Sequence, residues 1–152
     1  MIRTVSFEGT TFADPPQRFE AGTPNIAGII GLGAAVDLLA ELPWPAVIAW
    51  EAELLAHLRE VLTNVQGLRI LGDAADKVPV VSFVIEGVHA HDLATLLDTH
   101  AVAVRSGHHC AHPLMQHYGI TASCRAALAF YNTHAEIERF SDALAASLRL
   151  LR

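Results

Sequence analysis

The chain has 152 residues, enough for one domain with a sizeable core, and it combines 52% apolar with only 17% charged residues and a net charge of −6. Ten basic residues against sixteen acidic ones exclude a nucleic-acid footprint, and no apolar run approaches the roughly 20 residues that span a bilayer. Charged residues make up about 25% of an ordinary soluble domain, so the deficit reads either as a generous core or as surface that another domain or subunit covers.

Residues 1–24 show no helical period and read as strand fragments and loop, with turn chemistry at Asp14-Pro15-Pro16 and Thr23-Pro24. A division is expected there: 1–24 as the remnant of a larger domain, 25–152 as a small C-terminal domain. The apolar stretch Ala27–Glu41 predicts a mostly buried helix, broken at Pro43 and Pro45. Pro45 suits the first turn of a second helix, whose apolar positions Val47, Trp50, Leu54, Leu58 and Val61 recur with a period near 3.6. Leu68–Leu71 and the β-branched run Val80–Ile85 predict strands. Between them the polar loop Gly72–Lys77 holds the one lysine of the chain, Lys77. A short helix is expected over His91–His100, with Leu93, Leu96 and Leu97 inward, then a brief strand over Ala101–Val104. A loop, Arg105–His112, leads to a helical turn over Pro113–Tyr118 and a strand over Cys124–Phe130. Thr133-His134-Ala135-Glu136 is a capping box that opens a last helix. The order implies an α+β, two-layer sandwich: a small, mainly antiparallel sheet packed against helices.

Arg105-Ser106-Gly107-His108-His109-Cys110-Ala111-His112 is the segment richest in chemistry. A positive or hydrogen-bonding setting lowers a thiol's pKa and supplies thiolate, the nucleophilic form, and Gly107 gives the loop freedom. An inert Cys110 among solvated histidines is the plainer reading. Zinc is a second alternative, because His108, His109, Cys110, His112, His117 and Cys124 are ligand types, but adjacent ligands in one loop rarely complete a tetrahedron. Cys110 and Cys124 form no CxxC pair or disulfide framework, so a reducing, cytoplasmic setting is expected. In the strand Cys124–Phe130, alternation sets Arg125 on a face with Ala127 and Ala129, where it either reaches solvent or receives a small carboxylate with two parallel hydrogen bonds. Gly28, Gly31 and Gly33 do not complete a phosphate-binding GxGxxG pattern, since Val36 fills its last position.

Five stretches carry a resemblance: RFEAGTPN (Arg18–Asn25), GIIGLGAAVDLL (Gly28–Leu39), VVSFVIEGVHAHDLATLLD (Val80–Asp98), AVRSGHHCAHPLM (Ala103–Met115) and RAALAFYNTHAEI (Arg125–Ile137). In order and spacing they resemble the C-terminal portion of the cysteine desulfurase and selenocysteine lyase family, which has the class-V aminotransferase fold and serves iron–sulfur cluster assembly. The resemblance implies that Cys110 takes sulfur from a cysteine held on pyridoxal 5'-phosphate, leaving an enzyme persulfide and alanine. It implies further that Arg125 binds the substrate's carboxylate, Arg105 helps to position the cysteine loop, and Thr23 hydrogen-bonds the cofactor phosphate. Family members are homodimers that pass the sulfur to a small acceptor protein. The family's cofactor lysine belongs to a large domain that this sequence does not contain, and Lys77 matches no such lysine. The chain is therefore expected to be inactive alone and to bind no cofactor by itself. The alternatives are a stand-alone persulfide carrier, or a partner of a separately encoded cofactor domain; a histidine- and cysteine-based metal module is the third.

Overall fold

A computed structural model describes residues 1–72 and 74–152 of the chain; Asp73, within the expected polar loop, lies outside them. The described residues form two compact units, Met1–Pro43 and Trp44–Arg152. This division falls after the first helix, whereas the sequence reading divides the chain at 24/25.

In the first unit, strands β1 (Ile2–Ser6) and β2 (Gly9–Phe12) form an antiparallel hairpin with Ser6 opposite Gly9. Helix α1 (Ile26–Ala40) begins where the side chain of Asn25 accepts a hydrogen bond from Gly28 N at 3.0 Å, a shape that Asn at the cap position favours. The apolar pattern does make a helix, but not the mostly buried one expected: none of the unit's residues is buried, and Ile29, Ile30, Leu32, Val36 and Leu38 are exposed. A hairpin and one helix hold too little apolar surface to enclose a core of their own.

The second unit encloses its core. Helix α2 (Trp44–Thr63), strands β3 (Leu68–Leu71) and β4 (Val80–Ile85), helix α3 (Ala90–Thr99), strand β5 (Arg105–Gly107), helix α4 (His112–Tyr118), strand β6 (Ser123–Ala127) and helix α5 (His134–Leu151) follow in order. The strands make one antiparallel sheet in the order β3-β4-β6-β5. Period-two alternation turns Val81, Phe83 and Ile85 of β4 inward, where they meet Leu54, Leu58 and Leu62 of α2, Leu93 and Leu97 of α3, and Ile137, Phe140 and Leu144 of α5. Phe83 meets Phe140 edge to face at 6.4 Å between ring centres. Fully burying one such side chain stabilises by about 1.5–3 kcal/mol. Helix α5 starts in the expected capping box: Thr133 Oγ1 accepts from Glu136 N at 3.3 Å, and Glu136 Oε2 accepts from Thr133 N at 2.8 Å.

The α+β fold agrees with the expectation, and two strand boundaries shift. The strand foreseen over Ala101–Val104 lies at Arg105–Gly107, inside the stretch taken as loop, because pairing with β6 outweighs the polarity of those residues. The strand foreseen over Cys124–Phe130 ends at Ala127. There Asn132 Oδ1 accepts from Ala129 N at 2.8 Å and turns the chain towards α5.

Candidate functional site

Register builds the site. Strand β6 pairs with β5 so that Arg105 lies opposite Arg125, Ser106 opposite Cys124 and Gly107 opposite Ser123. Directly opposed residues of an antiparallel pair share a face, with their Cβ atoms about 4.5–5.5 Å apart. Two arginines in that position repel each other, and an anion between them relieves the repulsion. On the other side of β6, Ser82 lies opposite Arg125, and its Oγ is 3.5 Å from Arg125 Nε, a long contact that steers the guanidinium. Arg125 is half-buried and Arg105 exposed. Both belong to the sheet face opposite the one that Val81 and Phe83 present to the core.

Beyond Gly107 the chain reverses at once. Ala111 N donates to His108 O at 2.9 Å, closing a four-residue turn over 108–111. Its two central residues, His109 and Cys110, have φ of 54° and 57°. Two successive positive φ values are the sign pattern of a type I′ turn, which prefers Asn-Gly; for residues with a side chain the left-handed region costs roughly 1–2 kcal/mol each. Cys110 thus stands exposed at the tip of a strained turn. His108 and His112 stack across its base, 4.2 Å between ring centres. Helix α4 then begins with Pro113 in its first turn and ends at Gly119, whose φ of 66° is the left-handed cap that glycine allows.

His109 ties the turn to the sheet. Its Nε2 lies 3.1 Å from both Ser123 O and Ser123 Oγ, and Ser123 is fully buried. A carbonyl oxygen only accepts, so Nε2 carries the hydrogen and Nδ1 holds the lone pair. Nδ1 is itself buried and without a partner. Burial holds the His109 pKa below its ordinary 6.5; the hydrogen bond to Ser123 opposes the shift, and the charges of Arg125, Arg105 and His108 add to it. The second cysteine is unlike Cys110. Cys124 Sγ donates to Ala90 O at 3.2 Å in the core, and burial pushes its thiol up to about 11.

Of the residues singled out in the sequence, Arg105 and Arg125 lie opposite each other in the β5–β6 ladder, and Cys110 lies in the turn that follows β5. Thr23 belongs to the first unit, exposed in a bend just before α1. Lys77 is half-buried, and its Nζ donates to Gly72 O at 2.9 Å within its own loop. Among the described residues no three His, Cys, Asp or Glu side chains converge as a metal site, and no single helix is long and apolar enough to cross a membrane. Ser82 and Ser123 were not foreseen. The signal for Ser82 was there: it is the one polar residue in an otherwise apolar strand, VVSFVI.

Known proteins show the same arrangement of sequence and fold. The profile described as aminotransferase class-V matches residues 1–140. A probable cysteine desulfurase of Xylella fastidiosa (strain Temecula1) is 62% identical over 151 residues, 99% of this chain and 36% of that protein. A cysteine desulfurase of Salmonella agona is 47% identical over 152 residues, 99% of this chain and 37% of that protein. The crystal structure of the cysteine desulfurase CsdA from Escherichia coli, in an S-sulfonic acid form, superposes with a TM-score of 0.84 at 36% identity, covering 100% of this chain and 38% of that one. The chain thus spans little more than a third of the length of the relatives it matches.

Proposed function

Because the chain belongs to the class-V aminotransferase family, we propose that its 152 residues carry the sulfur-accepting part of a cysteine desulfurase, with Cys110 as the nucleophile that takes sulfur from L-cysteine and holds it as a persulfide. The observation that carries this reading is the exposed Cys110 on a left-handed turn that directly follows β5, whose Arg105 lies opposite Arg125. Arg125 receives the α-carboxylate of the substrate, by charge-assisted hydrogen bonds that a planar guanidinium forms two at a time, and Arg105 helps to position the cysteine loop. Loading forms an S–S bond and breaks the C–S bond of the substrate, whose carbon takes a proton and leaves as alanine.

Pyridoxal 5'-phosphate is the family's cofactor, and these residues do not fit it. The one lysine hydrogen-bonds its own loop, and an exposed Thr23 is no cradle for a phosphate by itself. The cleavage of the C–S bond is therefore assigned to residues outside these 152. A larger assembly, as a homodimer or with a cofactor-bearing polypeptide, accords with a first unit that buries none of its residues while exposing Ile29, Ile30, Leu32 and Val36. The persulfide then passes to a small acceptor protein in a reducing, cytoplasmic setting.

Mixing the chain with L-cysteine and a complete cysteine desulfurase tests this reading, with mass spectrometry of the Cys110 peptide as readout. The expected result is the added mass of one sulfur on Cys110, absent from the Cys110→Ser variant. Loading that survives Cys110→Ser overturns the assignment, and no loading at all counts against a stand-alone persulfide carrier. Alanine from the chain with pyridoxal phosphate and cysteine alone would show that these residues do hold the cofactor.

A further inference from the structure

We propose that His109 is a positioning residue for Cys110: by donating from Nε2 to Ser123, it holds the 108–111 turn in the left-handed shape that presents the thiol. The inference rests on the reading of Cys110 as the sulfur acceptor and adds to it the residue that aims the nucleophile.

The turn has no reason of its own to persist. Neither of its central residues is glycine, yet both sit at positive φ, 54° and 57°, a conformation that an unsupported His-Cys pair leaves. A strained backbone stays in place only where its surroundings fix it. Two fasteners reach it. One is the stack of His108 on His112, made by two exposed side chains. The other is the contact of His109 Nε2 with Ser123 O and Oγ, both at 3.1 Å. Ser123 is fully buried and begins β6, where it lies opposite Gly107 of β5, so this anchor belongs to the sheet ladder itself. Anchor and nucleophile are adjacent in the chain, so a loosened ring frees the thiol directly.

The chemistry of the ring agrees with a positioning role. Nε2 spends its hydrogen on Ser123, and Nδ1 is shielded from solvent with no partner. Neither nitrogen is placed to relay protons to water, so His109 serves as a neutral donor. A glutamine can replace it in that office, since its amide nitrogen extends about as far as Nε2 and donates without titrating. An alanine cannot.

The test compares the wild-type chain with His109→Ala, His109→Gln and Ser123→Ala, each checked for folding by thermal melting. NMR reads two signatures: the ring nitrogen that bears hydrogen in His109, and the strong intraresidue amide–Hα cross-peak that marks positive φ at Cys110. The expected result is an Nε2–H ring in the wild type, with the Cys110 signature lost in His109→Ala, kept in His109→Gln and weakened in Ser123→Ala. Persulfide loading should slow roughly tenfold or more in His109→Ala and recover in His109→Gln, because misplacing a reacting group costs that much, while alkylation by freely diffusing iodoacetamide changes by less than about threefold. An Nδ1–H ring, a positive-φ signature that persists in folded His109→Ala, or a folded His109→Gln without that signature overturns the proposal. If His109→Ala does not fold, the wild-type ring state and Ser123→Ala decide. The NMR signatures need no sulfur transfer. A wild-type chain that is never loaded therefore counts against the stand-alone carrier and leaves this proposal to be judged by itself.

Discussion

Two cysteines, one in strand β6 and one in the turn that follows its partner β5, meet opposite fates. Cys124 lies opposite Ser106 in the ladder between β5 and β6, 1% exposed, with its thiol donating to Ala90 O. Cys110 follows four residues after Ser106, past the end of the ladder, exposed on a turn at φ 57°. Arg105 and Arg125 belong to the same two strands and distinguish neither thiol by proximity in sequence. What separates the two is alternation: β6 turns Cys124 towards α3 and the core, while the turn carries Cys110 away from it. The burial of a thiol here follows its place in or beyond the ladder more than the residue types beside it.

Selective labelling tests this contrast most sharply. A thiol that titrates at about 11 holds, near pH 8, roughly one thiolate in a thousand, and burial shuts out the reagent as well. Iodoacetamide in excess should modify Cys110 at least a hundredfold faster than Cys124, with Cys124 reacting only as fast as the second unit opens. Peptide mapping by mass spectrometry follows both sites in one experiment. Comparable rates would show that Cys124 is open to solvent in the folded chain.

The same contrast explains what could be read from the sequence. Elements driven by apolar periodicity were legible: Leu54 and Leu58 of α2, Val81 and Phe83 of β4, and Ile137, Phe140 and Leu144 of α5 all fall where the pattern puts them. Motif and strand alternation singled out Cys110, Arg105 and Arg125 as candidates. The extent of β5 was not, because Arg-Ser-Gly has no strand preference and becomes a strand only through its partner. The exposure of α1 was not legible either: apolar content says that a helix wants cover, not whether its own unit supplies it. The His109–Ser123 link joins residues 14 apart through a register that no local pattern encodes.

Stability should divide along the same line, with smaller effects. Cys124→Ser places a hydroxyl in the core, partly satisfied by Ala90 O, and is expected to cost about 1–3 kcal/mol. Cys110→Ser, on the surface, should stay within about 0.5 kcal/mol. Cys110→Gly should stabilise by about 0.4–1 kcal/mol, since glycine takes positive φ without strain, although its greater freedom in the unfolded chain offsets part of the gain. Urea denaturation of the three variants measures these differences. A destabilised Cys110→Gly chain would show that the turn is not strained at that position.

The smallest effects concern pH, and the upper of two windows belongs to the turn that carries Cys110. Burial keeps the folded-state pKa of His109 below its ordinary 6.5, so on acidification the unfolded chain takes up a proton first. Stability from this group is complete above about pH 6.5 and falls as pH drops towards the folded-state value. Glu136 gives a second, lower window. Its carboxylate is held below the ordinary 4.5 mainly by the Thr133 backbone N–H, with Asn132 adding a hydrogen bond. Its contribution is therefore present above about 4.5 and lost as pH falls through the folded-state value. Melting temperature recorded against pH should show both declines. His109→Gln should flatten the upper one, and Glu136→Gln the lower one alone. Cys124 remains a neutral thiol throughout this range, since burial holds its pKa at about 11, so Cys124→Ala should lower the whole curve without changing its shape. An upper decline that survives His109→Gln would move the pH sensitivity away from the turn and overturn the claim that burial holds the ring beside Cys110 neutral.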